Sequence, residues 1–77
     1  MTNTALLKAK IILNNDTVQG LAAHLGKNRQ NLSKKINGKQ EFKQSEIAKI
    51  AERYNLSFEE LKAIFLTDYS FGEELMM

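Results

Sequence analysis

A chain of 77 residues has room for one small domain, and the absence of cysteine excludes a disulfide framework, a thiol nucleophile and a cysteine-based zinc site. A hydrophobic fraction of 43% with 26% charged residues is typical of a globular domain rather than a disordered one. The net charge of +2 hides an asymmetry between the two halves of the chain. Residues 1–43 carry eight Lys or Arg and two acidic residues, whereas residues 44–77 carry three Lys or Arg and seven acidic residues. A basic first half favours contact with a polyanion, although charge alone fits an ordinary solvated surface equally well.

Two further expectations follow from composition. No apolar run approaches the roughly 18 residues of a membrane span, and the N-terminus lacks the layout of a signal peptide, so a cytoplasmic location is expected. A domain this small is expected to need extra support, and because the chain has no cysteine for disulfides, self-association is the remaining candidate.

The first two predicted helices share a short connection. Apolar spacing predicts a helix over about residues 4–14. Thr17 or Asp16 can accept the free amide protons of a second helix, Val18 to Leu25, which Gly26 ends because glycine adopts the left-handed conformation that closes many helices. The first helix takes its pattern from Leu6, Leu7, Ala9, Ile11 and Leu13, and the second is predicted to bury Leu21, Ala22 and Leu25.

A third helix is predicted from Arg29 to about Ile36, with Asn28 as its cap after a very short turn. Only Leu32 and Ile36 are large apolar groups in it, spaced four residues apart. This spacing predicts one narrow buried seam and leaves the polar and basic side chains exposed.

The rest of the chain predicts two more helices. Asn37-Gly38 ends the third helix, and Phe42 is expected to fill the core from the loop that follows. A fourth helix is marked by Ile47, Ile50, Ala51 and Tyr54. A fifth begins at the capping box Ser57-x-x-Glu60, with Leu56 as a hydrophobic staple and Leu61, Ile64 and Phe65 behind it.

The predicted fold class is therefore all-α, a compact bundle of four to five short helices that contains a helix-turn-helix. The domain is expected to cover residues 1–66. The tail, residues 67–77, has no clear period; its apolar side chains are expected either to fold back on the core or to form a dimer contact.

The segment from Val18 to Asn37 meets the requirements of a unit that reads DNA. A helix in the major groove needs exposed polar side chains on one side and a supporting helix on the other. The small side chain of Ala22 lets the two helices approach closely, and Gly26 makes the turn. Arginine can grip guanine bidentately, and Gln or Asn can pair with adenine.

Residues 17–38, TVQGLAAHLGKNRQNLSKKING, resemble the helix-turn-helix of the phage repressor and Cro family, the XRE-like proteins, and the likeness extends over about residues 4–66. The resemblance implies a sequence-specific transcriptional regulator that binds a near-palindromic operator as a homodimer in a bacterial or phage-infected cell. It implies base contacts by Arg29, Gln30 and Lys34, with Asn31 and Ser33 completing the set. The residues expected to contact the DNA backbone are Thr17, Gln19, Lys27, Asn28, Lys35, Asn37, Lys39 and Lys43.

Some positions depart from the family pattern. Val18 stands where the family often has glutamine, so Gln19 takes over a phosphate contact or none exists there. Lys27 and Lys35 replace residues that are commonly apolar. Gly20 costs a helix about 1 kcal/mol relative to alanine, so packing is expected to hold the second helix.

An enzyme is not expected, because no nucleophile, base and orienting group can be assembled and no phosphate-binding glycine loop exists. His24 is the sole histidine and lacks a partner for a metal, so no metal site is expected. No cofactor and no small-molecule substrate are expected either. An alternative function is a protein-binding helical module, such as an antirepressor or antitoxin-type partner, suggested by the acidic and apolar C-terminal third.

Overall fold

Five helices form the part of the chain that this computed structural model describes, residues 2–65. They are α1 (Thr4–Leu13), α2 (Val18–Leu25), α3 (Arg29–Ile36), α4 (Gln44–Tyr54) and α5 (Phe58–Ile64). No strand occurs between residues 2 and 65, which agrees with the predicted all-α class. The predicted tail, residues 67–77, lies outside the described residues.

Side-chain caps mark where α1, α2, α3 and α5 begin. The Asn3 side chain accepts a hydrogen bond from the Leu6 amide at 3.2 Å at the start of α1. Thr17, rather than Asp16, caps α2, because its hydroxyl oxygen accepts from the Gly20 amide at 3.0 Å. Such caps satisfy amide protons that have no partner within the helix.

The predicted capping box of α5 is confirmed. The Ser57 hydroxyl oxygen accepts from the Glu60 amide at 3.1 Å, and the Glu60 carboxylate accepts from the Ser57 amide at 3.0 Å. Leu56 is half-buried and packs against the core, as expected of a hydrophobic staple.

One apolar core joins all five helices. Phe42 enters it from the loop before α4, as predicted, and its ring meets that of Phe65 edge to face with centroids 5.3 Å apart. Burial of these side chains is the main favourable term in folding. The core consists of Leu7, Ile11, Leu21, Ala22, Leu25, Leu32, Ile36, Phe42, Ile47, Ile50, Tyr54, Ile64 and Phe65.

The outer side of α1 differs from the simplest expectation of its apolar pattern. Only Leu7 and Ile11 are buried, whereas Leu6 is 40% exposed and Leu13 is 74% exposed. The reason is that α1 packs through one side, against α3 and α5, so apolar residues elsewhere on its circumference face outward. Helical spacing alone does not say which side of such a helix is covered.

Hydrogen bonds from the start of α1 tie the ends of two other helices together. The Asn3 amide donates to the Ile64 carbonyl oxygen at 2.7 Å, and the Thr4 hydroxyl donates to the Ile36 carbonyl oxygen at 2.6 Å. The C-terminal end of α3 is therefore held against the bundle. In the described part of the chain, no helix is long and apolar enough to cross a membrane.

Candidate nucleic-acid interface

The turn between α2 and α3 is closed by backbone geometry. Gly26 has φ of +69°, in the left-handed region that favours glycine, and the Lys27 amide donates to the Ala22 carbonyl oxygen at 2.9 Å. Asn28 then caps α3, because its side-chain oxygen accepts from the Asn31 amide at 2.7 Å. A turn this short fixes the angle at which α3 leaves α2.

Packing determines which side of α3 faces outward. Leu32 is fully buried and Ile36 is 2% exposed, both against a core to which α2 contributes Leu21 and the small Ala22. Every large apolar side chain of α3 is thus used for attachment. The polar and basic side chains of α3 that lie at the surface are therefore not needed to attach the helix and are available to contact a ligand.

Four of the five base-contacting residues predicted from the sequence have exposed side chains on α3. Ser33 is half-buried, and its hydroxyl oxygen accepts from the Asn37 side-chain amide at 3.4 Å. No acidic residue interrupts this surface, since α3 reads RQNLSKKI. The exposed members are Arg29, Gln30, Asn31 and Lys34.

Seven of the eight predicted backbone-contacting residues are at or near the surface. Thr17 and Asn28 use their side-chain oxygens as caps, which leaves the hydroxyl proton and the amide nitrogen as donors. The side chain of Lys27 is 34% exposed. The exposed members of the set are Thr17, Gln19, Asn28, Asn37, Lys39 and Lys43.

Lys35 is the exception, and its predicted place at the surface is wrong. Its side chain is only 9% exposed, and its ammonium group donates to both carboxylate oxygens of Glu46, at 2.6 and 2.8 Å. Lys35 lies on the buried side of α3, next to Leu32 in the helical projection. Lys35 thus occupies a position of the buried seam that is commonly apolar in the family. Its charge is paired with Glu46 inside the protein and does not reach the surface.

Glu46, in the first turn of α4, is the centre of this buried contact. Its Oε1 also accepts from the Lys43 amide at 2.8 Å, and the Lys27 ammonium lies 3.8 Å from its Oε2. Burial raises the pKa of Glu46, but the hydrogen bonds from Lys35 and from the Lys43 amide outweigh burial and leave the pKa below its ordinary value. We call Glu46, Lys35 and Lys27 the Glu46 cluster; it joins α3, the turn before α3, and α4.

A second ionic contact supports α2. Asp16 accepts from the Arg53 guanidinium at 2.8 and 3.1 Å and from the Tyr54 hydroxyl at 2.6 Å. The Arg53 hydrogen bonds hold the pKa of Asp16 well below its usual range, although burial opposes them. Burial and the hydrogen bond to Asp16 raise the pKa of Tyr54. The residue just before the α2 cap is thereby fastened to the end of α4.

The Asp16 contact explains why a glycine occupies the first turn of α2. A Cβ atom at Gly20 would lie 2.5 Å from Oδ1 of Asp16 and 3.2 Å from the Thr17 hydroxyl oxygen. Asp16 cannot easily move aside, since Arg53 and Tyr54 hold it. A glycine at this helical position was a sequence signal that some group approaches α2 closely. The sequence did not show which group, because Asp16 is held there by Arg53 and Tyr54, more than 30 positions away.

Sequence reasoning missed both ionic contacts. It placed Asp16 only as a possible cap and gave Glu46 no role. Their partners come from other helices, so no local pattern links them. Among residues 2–65, no group of three or more His, Cys, Asp or Glu side chains could hold a metal ion, and His24 is exposed.

Comparison with known proteins identifies this arrangement. The family model described as "Helix-turn-helix" matches residues 7–61, which cover α2, α3 and α4 completely and most of α1 and α5. No curated protein and no solved structure matches the chain. The matched residues are more than half of the chain, and the pair α2 and α3 occupies the centre of the match. The chain therefore belongs to the XRE-type helix-turn-helix family of DNA-binding regulatory domains, which are in general not enzymes.

Proposed function

We propose that the protein is a sequence-specific transcriptional regulator of the repressor or Cro type, which lays α3 in the major groove of an operator. The observation that carries the proposal is the division of α3 into two sides. Leu32 and Ile36 are buried, and the outward side offers only polar and basic groups. A helix in the major groove requires this division.

Arg29, Gln30 and Lys34 are the proposed principal readers of base edges. An arginine can donate two hydrogen bonds to guanine, and a glutamine can both donate to and accept from adenine. Asn31 and Ser33 are proposed to contribute at the margins of the site, and the Ser33 hydroxyl already contacts Asn37.

The proposed backbone contacts surround α3. The caps Thr17 and Asn28 lie where helix N-termini present free amide groups and a positive dipole end, which suits phosphate oxygens. Lysine side chains add charge without sequence preference. The proposed set is Thr17, Gln19, Lys27, Asn28, Asn37, Lys39 and Lys43; Lys35 is left out because Glu46 holds its charge.

A homodimer on a near-palindromic operator is the proposed assembly. One α3 reads only a few base pairs, whereas two copies related by a two-fold axis read two half-sites about 34 Å apart on one side of the duplex. Such a regulator would act where the DNA is, in the cytoplasm of a bacterium or of a phage-infected cell.

The test begins with a random pool of duplexes. Protein is titrated against the pool by fluorescence anisotropy at two salt concentrations, and the retained fraction is sequenced. We expect the retained sequences to share a two-fold symmetric site. A plot of the logarithm of the association constant against the logarithm of the salt concentration should have a slope of roughly −0.9 for each phosphate that the protein neutralises. Absence of binding at both salt concentrations would contradict the proposal.

Arg29→Ala is expected to weaken binding to the selected operator by about 1–3 kcal/mol and to relax preference at one base position. The reason is that truncation removes a bidentate contact with one base. Lys49→Ala is the control, because Lys49 is an exposed lysine on α4 that the proposal does not place near DNA. Equal weakening by Arg29→Ala on all sequences would instead assign Arg29 to a phosphate.

A second candidate function is contact with another protein, and one observation favours it. The outer side of α1 exposes Leu6, Ile12 and Leu13, of which the last two are more than 70% exposed. Exposed apolar side chains that form a contiguous patch often mark protein contacts, and Ile12 and Leu13 are consecutive in the chain. The same pool titration separates the two functions, since a module that binds only protein would show no salt-dependent retention of DNA.

A further inference from the structure

The Glu46 cluster lies directly behind the side of α3 that faces outward. Lys35 and Lys34 are neighbours in the chain, yet Lys34 is exposed and Lys35 reaches into the protein to Glu46. Glu46 is 4% exposed and belongs to α4, which is not part of the helix-turn-helix itself. The ion pair therefore connects the proposed DNA-reading helix with an element that reads no DNA.

The two kinds of attachment on α3 differ in what they can determine. Leu32 and Ile36 hold the helix against the core through apolar contacts, which have little directionality. The hydrogen bond from the Thr4 hydroxyl to the Ile36 carbonyl oxygen, at 2.6 Å, holds only the C-terminal end of α3. The two hydrogen bonds from Lys35 to Glu46, at 2.6 and 2.8 Å, depend strongly on position and angle. They restrict rotation of α3 about its own axis, which is the movement that would displace Arg29 and Gln30 from base edges.

The turn before α3 is held by the same carboxylate. The Lys27 ammonium lies 3.8 Å from Glu46 Oε2, and the Lys43 amide donates to Oε1. One carboxylate thus contacts both ends of the segment that carries the proposed base contacts, through hydrogen bonds from Lys35 and a longer ionic contact with Lys27. A site that recognises hydrogen-bonding groups loses function when its members shift by about 0.5 Å or more.

Net stability does not by itself account for such a pair. Removal of two charges from water is unfavourable, and replacement of a buried ion pair by uncharged side chains of similar volume is often neutral or stabilising. In some proteins, a buried polar or ionic group instead selects one arrangement among several of similar energy.

We propose that Lys35 and Glu46 are positioning residues that set the orientation of α3, so that a pair of side chains away from the DNA determines how well the operator is distinguished from other sequences. The inference rests on the proposed function, because it assigns the specificity of the same DNA site. It predicts a loss of discrimination, rather than a loss of all binding, when the pair is removed.

The test uses the double variant Lys35→Met with Glu46→Gln in the full chain. Methionine has nearly the volume of lysine, glutamine can still accept from the Lys43 amide, and no uncompensated buried charge remains. The net charge is unchanged, so the overall electrostatic attraction to any duplex changes little. The matched control is Lys49→Met with Glu52→Gln, which makes the same two chemical changes at exposed positions of α4.

Affinity is measured for the selected operator and for a scrambled duplex of the same length, together with the thermal midpoint of each variant. We expect the ratio of the two affinities to fall at least about tenfold in the Lys35→Met, Glu46→Gln variant. Affinity for the scrambled duplex should stay within about twofold, and the midpoint within about 5 °C of the unchanged protein. The control should keep the original ratio.

Other outcomes overturn the inference in distinguishable ways. A preserved ratio would show that the pair does not position α3. A parallel fall of both affinities with the thermal midpoint would assign the pair a purely structural role. If the unchanged protein selects no sequence at all, the proposed function fails first and this inference fails with it.

A second variant covers the case in which the double variant does not fold. Lys35→Arg keeps the charge and the ion pair, but the planar guanidinium has a different length and geometry. We expect a folded protein with a reduced affinity ratio and with shifted amide NMR signals for Arg29 and Gln30 in the absence of DNA. Unchanged signals together with an unchanged ratio would overturn the inference.

Discussion

Glu46→Ala is expected to lower the free energy of unfolding by about 3–5 kcal/mol, which is a large fraction of the stability of a domain this small. The substitution removes the acceptor of two hydrogen bonds from Lys35 and leaves that ammonium group 9% exposed with no opposite charge beside it. It also frees the Lys43 amide at the start of α4. Urea unfolding followed by circular dichroism measures the change.

Two comparisons make the Glu46→Ala result interpretable. Glu52→Ala, at an exposed position of α4, should change stability by no more than about 0.5 kcal/mol. The double variant Lys35→Met with Glu46→Gln should be far more stable than Glu46→Ala, because it leaves no lone buried charge. Equal small losses from Glu46→Ala and Glu52→Ala would contradict the burial of this ion pair.

Asp16→Ala is expected to lower the free energy of unfolding at neutral pH by about 2–3 kcal/mol. The aspartate accepts from Arg53 and Tyr54, and its loss leaves the Tyr54 hydroxyl, on a side chain that is otherwise in the core, without this acceptor. The Arg53 guanidinium is exposed, so water replaces its hydrogen bonds to Asp16 and limits that part of the loss in stability. Urea unfolding at neutral pH checks the value, with Glu41→Ala in the exposed loop before α4 as the control.

The same substitution should change how stability depends on pH. Arg53 keeps the pKa of Asp16 in the folded protein well below its ordinary value of 3.8. A lowered folded pKa means that the contribution to stability is complete above the ordinary value and is lost as the pH falls below about 4. The unchanged protein should therefore lose stability in acid, and Asp16→Ala should lose less between about pH 5 and about pH 2.

The carboxylates of Glu60 and Glu46 also have lowered pKa values, so they too stabilise the folded protein less as the pH falls. The Lys10 ammonium and the Ser57 amide lower the pKa of Glu60 to about 2, and the Glu46 pKa is also lowered. Part of the acid sensitivity should therefore persist in Asp16→Ala. A pH profile identical to that of the unchanged protein would contradict the assignment of Asp16.

Sequence patterns that span only a few residues were sufficient to predict where most of the helices lie. Cap residues such as Thr17, Asn28 and Ser57, the turn glycine Gly26 and the apolar spacing act over three or four residues, so they can be recognised in a string of letters. The predicted bounds of α2 and α3 agree with the structure, and α1 ends one residue earlier than predicted. The two-sided character of α3 follows from the same local spacing.

Contacts between distant residues were beyond such rules. Lys35 carries a charge that local reasoning assigns to the surface, and only its position opposite Glu46 explains its burial. The outward side of α1 looked no different from its inward side, because Leu6 and Leu7 are chemically alike and packing alone decides which is covered.

The order of the residues is enough to predict a bundle of four to five short helices, a helix-turn-helix at residues 17–38 and a polar, basic outward side on α3. Only the packing of the helices reveals that Gly20 makes room for Asp16, that Asp16 meets Arg53 and that Glu46 fastens the back of α3. The difference lies in the range of the interactions. Caps and helical periodicity act between neighbours in the chain, whereas ion pairs and close packing act between residues that are neighbours in space and far apart in sequence.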